Sequence, residues 1–389
     1  MKKTKLFLHI GHGKTGTSAV QSALAISSDK LLKNGTNYPI NTTLKQRASH
    51  FEITSGNWEN NPDVSLTERC LQLVASNIDN CNIILSSESL FWHLPEMLEE
   101  QDQWNHLIDL HVILAVRELE EMLSSEYQQR VKRHGESKPF EQFLKRRRFI
   151  SSHHKKAAEL LSKLALHNIS FTLINYSNHK RTISQKIFNA IGCGHLFPHE
   201  KMLDLVINRS LSQKELQMLL MINALYYDQY PWICTRLSDA LAKKLPNVEA
   251  RRCRISPKSL DKLYEANDSF IKIINSYLDK SELLTTLQSL DQNRQANRDP
   301  ETLQKIKKEE KLSIDLISET LLEALRNDPI KQLSNETVDA LIKASQSKGT
   351  SPEVEVELLE IAKISRPQGP RLTQLLEQAQ LKQQQNQES

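Results

Sequence analysis

Lys5-Leu-Phe-Leu-His-Ile10, Gly11-His-Gly-Lys-Thr-Gly-Thr-Ser18 and Ala19-Val-Gln-Ser-Ala-Leu24 follow one another and decide the fold of this chain. The apolar run has no helical spacing and reads as a buried strand. The glycines read as a tight turn, and Thr17 to Leu24 as the first turns of a helix. Strand, glycine turn and helix start bring backbone N–H groups and the positive end of a helix around one point, which suits an anion such as phosphate or sulfate. Lys14 adds a cation to that cup, and Thr15, Thr17 and Ser18 add hydroxyls. An ordinary strand-to-helix turn has much the same composition, so this stretch alone leaves both readings open.

The turn is not a Walker A loop. The leading glycine of that motif, counted back from Gly13, falls on Leu8, inside the strand. Further along, Asn34-Gly35 and Asn37-Tyr-Pro39 bracket a short second strand, and residues 40–62 read as a polar loop. Thr67 to Asn77 has helical spacing. Asn82-Ile-Ile-Leu85, Leu110 to Val116 and Ile169 to Ile174 read as strands, with helices over 139–167 and from Ser184 to Ile191. Apolar strands alternating with helices predict an α/β fold: a central parallel sheet with helices on both faces. Ligands of such sheets collect beyond the carboxyl ends of the strands, where Gly11, Glu88, Arg117 and Tyr176 all fall.

From about residue 210 the pattern is helical only. Ser212-Gln-Lys-Glu215 is a capping box, and Ser256-Pro257 starts a helix that runs towards Tyr277. Leu312, Leu316, Leu322 and Leu325 mark an amphipathic helix, and Ser334 and Ser351-Pro352 open two more. The expected division is an α/β domain over 1–285, with 210–285 as its helical closing part. A helical appendage follows over 295–375, and a Gln-rich tail over 376–389 reads as disordered. The Leu and Ile stripes of the C-terminal helices read as ordinary core or as a surface that packs on the α/β domain, self-associates or meets a partner.

The chain has 389 residues, a formal net charge of +4 and 25% charged residues, so no global field calls for nucleic acid. Aromatic residues that would stack on bases are sparse among the basic ones, which also weighs against nucleic acid. Positive charge is local: Arg130, Lys132, Arg133 and His134 form one cluster, and Lys145-Arg-Arg-Arg148 with His153-His-Lys-Lys156 a second. Each is a solvated helix face or, near an anion site, a means of holding an acidic substrate. The five cysteines lack any CxxC pair, which excludes the usual zinc spacings and fits a reducing compartment. The N-terminal apolar run is too short for a signal peptide, and no stretch is long enough to span a bilayer. A soluble, cytoplasmic protein is expected.

Arg117 at a strand end and Ser125 eight residues later, two turns into the next helix, can face one point on the rim and hold a second phosphate. Together with the Lys14 turn, this resembles the PAPS-dependent sulfotransferases. Gly11-His-Gly-Lys-Thr-Gly-Thr17 resembles the family's 5′-phosphosulfate loop. Arg117 with Ser125 resembles its 3′-phosphate pair, including the spacing of eight. Asn175-Tyr176 stands where the family often carries a Tyr-Glu or Tyr-Asp pair, from which Ser177 departs. Asn208 to Ser212 resembles the segment before the family's late helices, and Ala266 to Leu278 its closing helix. The likeness covers roughly residues 5–280, is closest to bacterial and carbohydrate-type members, and leaves out the C-terminal part.

The resemblance implies a P-loop-like three-layer fold and transfer of a sulfonate from PAPS to an acceptor hydroxyl by in-line displacement, leaving 3′-phosphoadenosine 5′-phosphate. By analogy with phosphoryl transfer, the protein supplies positioning and electrostatic stabilisation. On this likeness Lys14 neutralises the bridging oxygen, and Gly11, Gly13, Thr15, Gly16, Thr17 and Ser18 cradle the 5′-phosphate. Arg117 and Ser125 read the 3′-phosphate, Tyr176 adjoins the nucleotide, and no metal is required. The implied acceptor is a glycan or another hydroxyl-bearing molecule, and an acidic one would account for the basic clusters.

An acceptor hydroxyl needs a base. Glu88, just past the Ile83-Ile84-Leu85 strand and beside Phe91 and Trp92, reads as a partly desolvated carboxylate suited to that role. It also reads as a helix cap or an arginine partner. His50 is the second candidate, on a loop where the family sometimes carries a histidine, and His12 lies within the turn but is expected to point away. Two other classes stay in view: a P-loop kinase or nucleotide hydrolase, and a catalytically silent scaffold. Ser86-Ser87 stands where a hydrolase would place a magnesium-binding Asp.

Overall fold

The computed structural model describes residues 3–11, 13–49, 56–58, 64–77, 81–199, 210–228, 230–245, 248, 253, 255–290, 317, 333–347, 349–366 and 369–387. The chain divides into two compact units. The first comprises Met1–Glu126, Phe140–Asn208 and Arg252–Pro300, and the second Tyr127–Pro139, Arg209–Arg251 and Glu301–Ser389. The segment 209–251, expected to close the α/β domain, therefore groups with the C-terminal helices instead.

In chain order the elements of the whole chain open with β1 (Thr4–Gly11), α1 (Thr17–Ile26), α2 (Ser28–Lys33), β2 (Thr36–Asn37), α3 (Thr42–Ser49) and α4 (Leu66–Ala75). Next come β3 (Asn82–Ser86), α5 (Leu90–Glu99), α6 (Gln101–Trp104), β4 (Ile108–Val116) and α7 (Leu119–Arg133). Then follow α8 (Phe140–Arg146), α9 (Ser152–Leu166), β5 (Ser170–Asn175) and α10 (Ile183–Ala190). The remaining helices are α11 (Gln213–Tyr226), α12 (Ile233–Lys244), α13 (Pro257–Asn275), α14 (Asn335–Ser345), α15 (Pro352–Ser365) and α16 (Pro370–Gln387).

The five strands make one parallel sheet in the order β2-β3-β1-β4-β5. β1 is central, with His9 opposite Ser86 of β3 and Gly11 opposite Ala115 of β4. Covered on both faces, it is apolar almost throughout: Leu6, Leu8 and Ile10 are wholly buried and Phe7 nearly so. On one face Phe7, Ile84, Ile113 and Ile174 pack with Val20 and Leu24 of α1 and Ile187 and Phe188 of α10. Alternation along the strands turns Leu6, Leu8 and Leu85 to the other face, which α5 and α9 cover. Burying each such side chain stabilises the sheet by about 1.5–3 kcal/mol. The α/β reading is thus the observed architecture.

Two stretches differ from their sequence reading. Residues 42–49, expected as loop, form α3: a polar helix without an apolar stripe leaves no periodicity to read. The Gln-rich end is helical through Gln387, because Leu372, Leu376 and Ala379 are buried against Val338, Leu359 and Ala362. Glutamine is itself a good helix former. The helix expected around Leu312 to Leu325 lies outside the described residues. The caps came as read: Ser212 and Glu215 form the reciprocal box, and Ser256, Ser334 and Ser351 each accept a hydrogen bond from the first turn they precede.

Candidate functional site

The turn after β1 is built on left-handed backbone. Gly13, Lys14 and Gly16 have φ of 83°, 60° and 76°. Two glycines are required here for different reasons. A Cβ on Gly11 would fall 2.3 Å from Thr15 Oγ1, so the turn can fold its threonine back on the strand end only if residue 11 has no side chain. A Cβ on Gly16 would combine positive φ with a contact of 2.8 Å to the Tyr176 ring. Gly16 then starts α1, its carbonyl accepting from Ala19 and Val20. The loop backbone and the N-terminus of α1 are the elements whose N–H groups could hold an anion here.

The threonine hydroxyls behave differently from the expected donors. Thr15 is fully buried, and its Oγ1 has no hydrogen-bond partner among the described residues. Thr17 is also buried and donates Oγ1 to Glu88 Oε1 at 2.5 Å. Gly13, Lys14 and Ser18 are half-buried. The cup therefore rests on backbone N–H groups and Lys14, with the Thr17 hydroxyl turned to the carboxylate.

Arg117 leaves the end of β4 and closes on this loop. Its Nη1 donates to the Lys14 carbonyl at 2.9 Å, its Nε to Glu121 at 3.3 Å, and its guanidinium lies 5.2 Å from the centre of the Tyr176 ring. Glu121, only 3% exposed, also accepts from Ser177 Oγ at 3.0 Å and Lys180 Nζ at 2.8 Å. The Arg117 carbonyl accepts from His154 Nε2 at 2.9 Å, and His154 Nδ1 meets Ser151 Oγ at 2.9 Å. Burial pushes the His154 imidazole down to about 4, so it is neutral, and the carbonyl fixes its proton on Nε2. Arg117 is thus set from three sides. Ser125 lies half-buried farther along α7, and its neighbour Ser124 accepts from the Cys253 N–H. Tyr176, on the turn after β5, joins the site through its contacts with Gly16 and Arg117. Burial raises its phenol above the usual range.

Glu88 stands beyond β3, but its setting corrects the sequence reading. It is exposed, not desolvated, and its Oε1 accepts from the hydroxyl of Thr17, the first residue of α1. Of its aromatic neighbours Phe91 is buried, while Trp92 is 44% exposed and carries Lys156 Nζ 3.5 Å from its ring centre. Between β1 and β3, His9 Nδ1 meets Ser86 Oγ at 2.7 Å, and burial pushes that imidazole down to about 4. His50 and His12 lie outside the described residues.

The structure adds a residue that the sequence reading left in a basic cluster. A Cβ on Gly13 would lie 3.5 Å from His153 Nε2, so this imidazole edge faces the loop. Its ring also meets Trp92 edge-on at 6.4 Å. The signal lay in the spacing: His154 is in phase with the buried Ala157, Ala158, Leu161 and Leu164, which sets His153 beside the core stripe. The cluster as a whole is no uniform solvated face. Arg147 pairs with Glu126 at 2.7 Å, and of the two lysines Lys156 covers Trp92.

Among the described residues, no group of three or more His, Cys, Asp or Glu side chains is placed to hold a metal, and no helix is long and apolar enough to cross a membrane. No protein-family model, curated protein or solved structure matches the chain.

Proposed function

We propose that this chain is a sulfotransferase that moves a sulfonate group from PAPS to an acceptor hydroxyl. The hydrogen bond from Arg117 to the Lys14 carbonyl carries the reading. It locks the residue suited to a 3′-phosphate onto the loop suited to a 5′-phosphate, at the carboxyl ends of adjacent strands. The orphaned Thr15 hydroxyl, the glycines that no Cβ fits and the guanidinium above Tyr176 are compatible with a doubly phosphorylated nucleotide. When bound, that nucleotide supplies the activated sulfonate. Lys14 faces the charge that builds on the leaving phosphate, the loop N–H groups hold it, and Arg117 discriminates the 3′-phosphate from a hydroxyl.

The acceptor in this reading is a hydroxyl of a carbohydrate or polysaccharide. The ammonium of Lys156 on the exposed Trp92 supports an acidic, ring-shaped acceptor. The work is assigned to the cytoplasm. Incubation with PAPS labelled in its sulfonate group tests the reading: label passes to a glycan acceptor in EDTA, and Lys14→Ala lowers the rate at least about a hundredfold. Turnover of ATP with magnesium, and none of PAPS, would replace it with a kinase or hydrolase.

A further inference from the structure

We infer that His153, and not Glu88, takes the proton from the acceptor hydroxyl; this rests on the sulfonate-transfer reading above. Its Nε2 edge faces Gly13, one residue from Lys14, which places the imidazole over the loop that holds the leaving group. Glu88 is already engaged: Thr17, at the start of α1, donates to its Oε1, so the carboxylate is tied to the loop it would have to serve. His153 meets the exposed Trp92 edge-on, and so stands between the loop and the surface where an acceptor ring would lie.

The ring is held from below. Ser151 caps α9 by accepting from the His154 N–H at 3.3 Å. Asn267 of α13, wholly buried, accepts from the Ser151 N–H at 2.8 Å and donates to the Phe149 carbonyl at 2.7 Å. The turn that carries His153 is therefore fixed on packed helices, as a catalytic group requires.

Its protonation suits a base. Burial holds the imidazole below its ordinary range. Glu126 of α7 and Glu88 push it up, while Arg147, Lys14 and the neighbouring His154 bear on the same balance from other sides. At neutral pH the ring is uncharged. In the step, His153 Nε2 takes the hydroxyl proton while the acceptor oxygen bonds to sulfur. The bond from sulfur to the bridging oxygen breaks, and its electron pair leaves with the phosphate facing Lys14. Glu88, through Thr17, positions the loop, and its negative charge stabilises the imidazolium that forms.

Two measurements on the full chain test this. In the first, the 13Cε1 resonance of His153, assigned by its loss in His153→Gln, is titrated with and without 3′,5′-ADP. A base placed over the leaving phosphate gains an upward pKa shift of about one unit or more when that product binds. Binding without any shift overturns the assignment and leaves the sulfotransferase reading standing; no binding at all overturns both. In the second, release of 3′,5′-ADP from PAPS is followed against pH with water as acceptor. His153→Asn should lower kcat about a hundredfold or more and remove the acidic limb, with 3′,5′-ADP affinity within about threefold of wild type. Loss of that limb in Glu88→Gln but not in His153→Asn would return the role to Glu88.

Discussion

Arg117 Nη1 donates to the backbone carbonyl of Lys14 at 2.9 Å, joining the end of β4 to the loop after β1. Parallel pairing of Gly11 with Ala115 makes this contact possible, since it brings both strand ends to one level. Glu121 and Tyr176 then fix the guanidinium from the other sides. A bound anion would find this cation already oriented, which lowers the ordering cost of binding.

The loop tolerates no side chain at residue 16. Gly16→Ala forces a Cβ within 2.8 Å of Tyr176 at positive φ, and should destabilise the first unit by roughly 1–3 kcal/mol. Urea unfolding followed by near-UV circular dichroism reads the loss as a lower midpoint. An unchanged midpoint would show that the turn is not held as described.

Thr17→Val removes the donor to Glu88 while keeping the shape of the side chain. The hydrogen bond to a charged group is worth about 1.5–3 kcal/mol, so the variant should lose stability of that order, and Thr17→Ser should recover most of it. Comparing the two variants by thermal unfolding separates the bond from the packing of a buried residue.

Acid should weaken the fold in a defined window. His9 and His154 have folded values of about 4, against about 6.5 unfolded, so the unfolded chain binds more protons. Their contribution is fully present above pH 6.5 and is lost as the pH falls towards 4, by an amount on the order of 3 kcal/mol for each group. Denaturation midpoints at pH 7 and pH 5 measure the drop. His154→Gln, already weaker at pH 7, should show a shallower dependence, and an equally steep one would contradict this origin.

Much of this was open to sequence reasoning. β1 announced itself because a strand buried on both faces must be apolar throughout, and the glycines after it marked a tight turn into a helix. Arg117 stood out as a charge at a strand end. What escaped was long-range. Glu121 is linked to Ser177 and Lys180 more than fifty residues away, and no local pattern reports such pairing. His153 was hidden by its own neighbours, since Lys155 and Lys156 make the segment look like solvated charge. Glu88 was found by position but misread in environment, because the aromatic residues next to it in sequence do not enclose it. α3 and the end of α16 escaped for lack of apolar rhythm and for an excess of glutamine.

The central claim is that Lys14 and Arg117 together hold a nucleotide carrying both a 5′- and a 3′-phosphate. Calorimetric titration in EDTA with 3′,5′-ADP, 5′-AMP and ATP tests it most directly. The account predicts binding of 3′,5′-ADP at least about tenfold tighter than of the other two, as one charge-assisted contact of about 1.5–3 kcal/mol requires, and loss of that preference in Arg117→Ala. Tighter binding of ATP, or a preference for 3′,5′-ADP that survives Arg117→Ala, would contradict it.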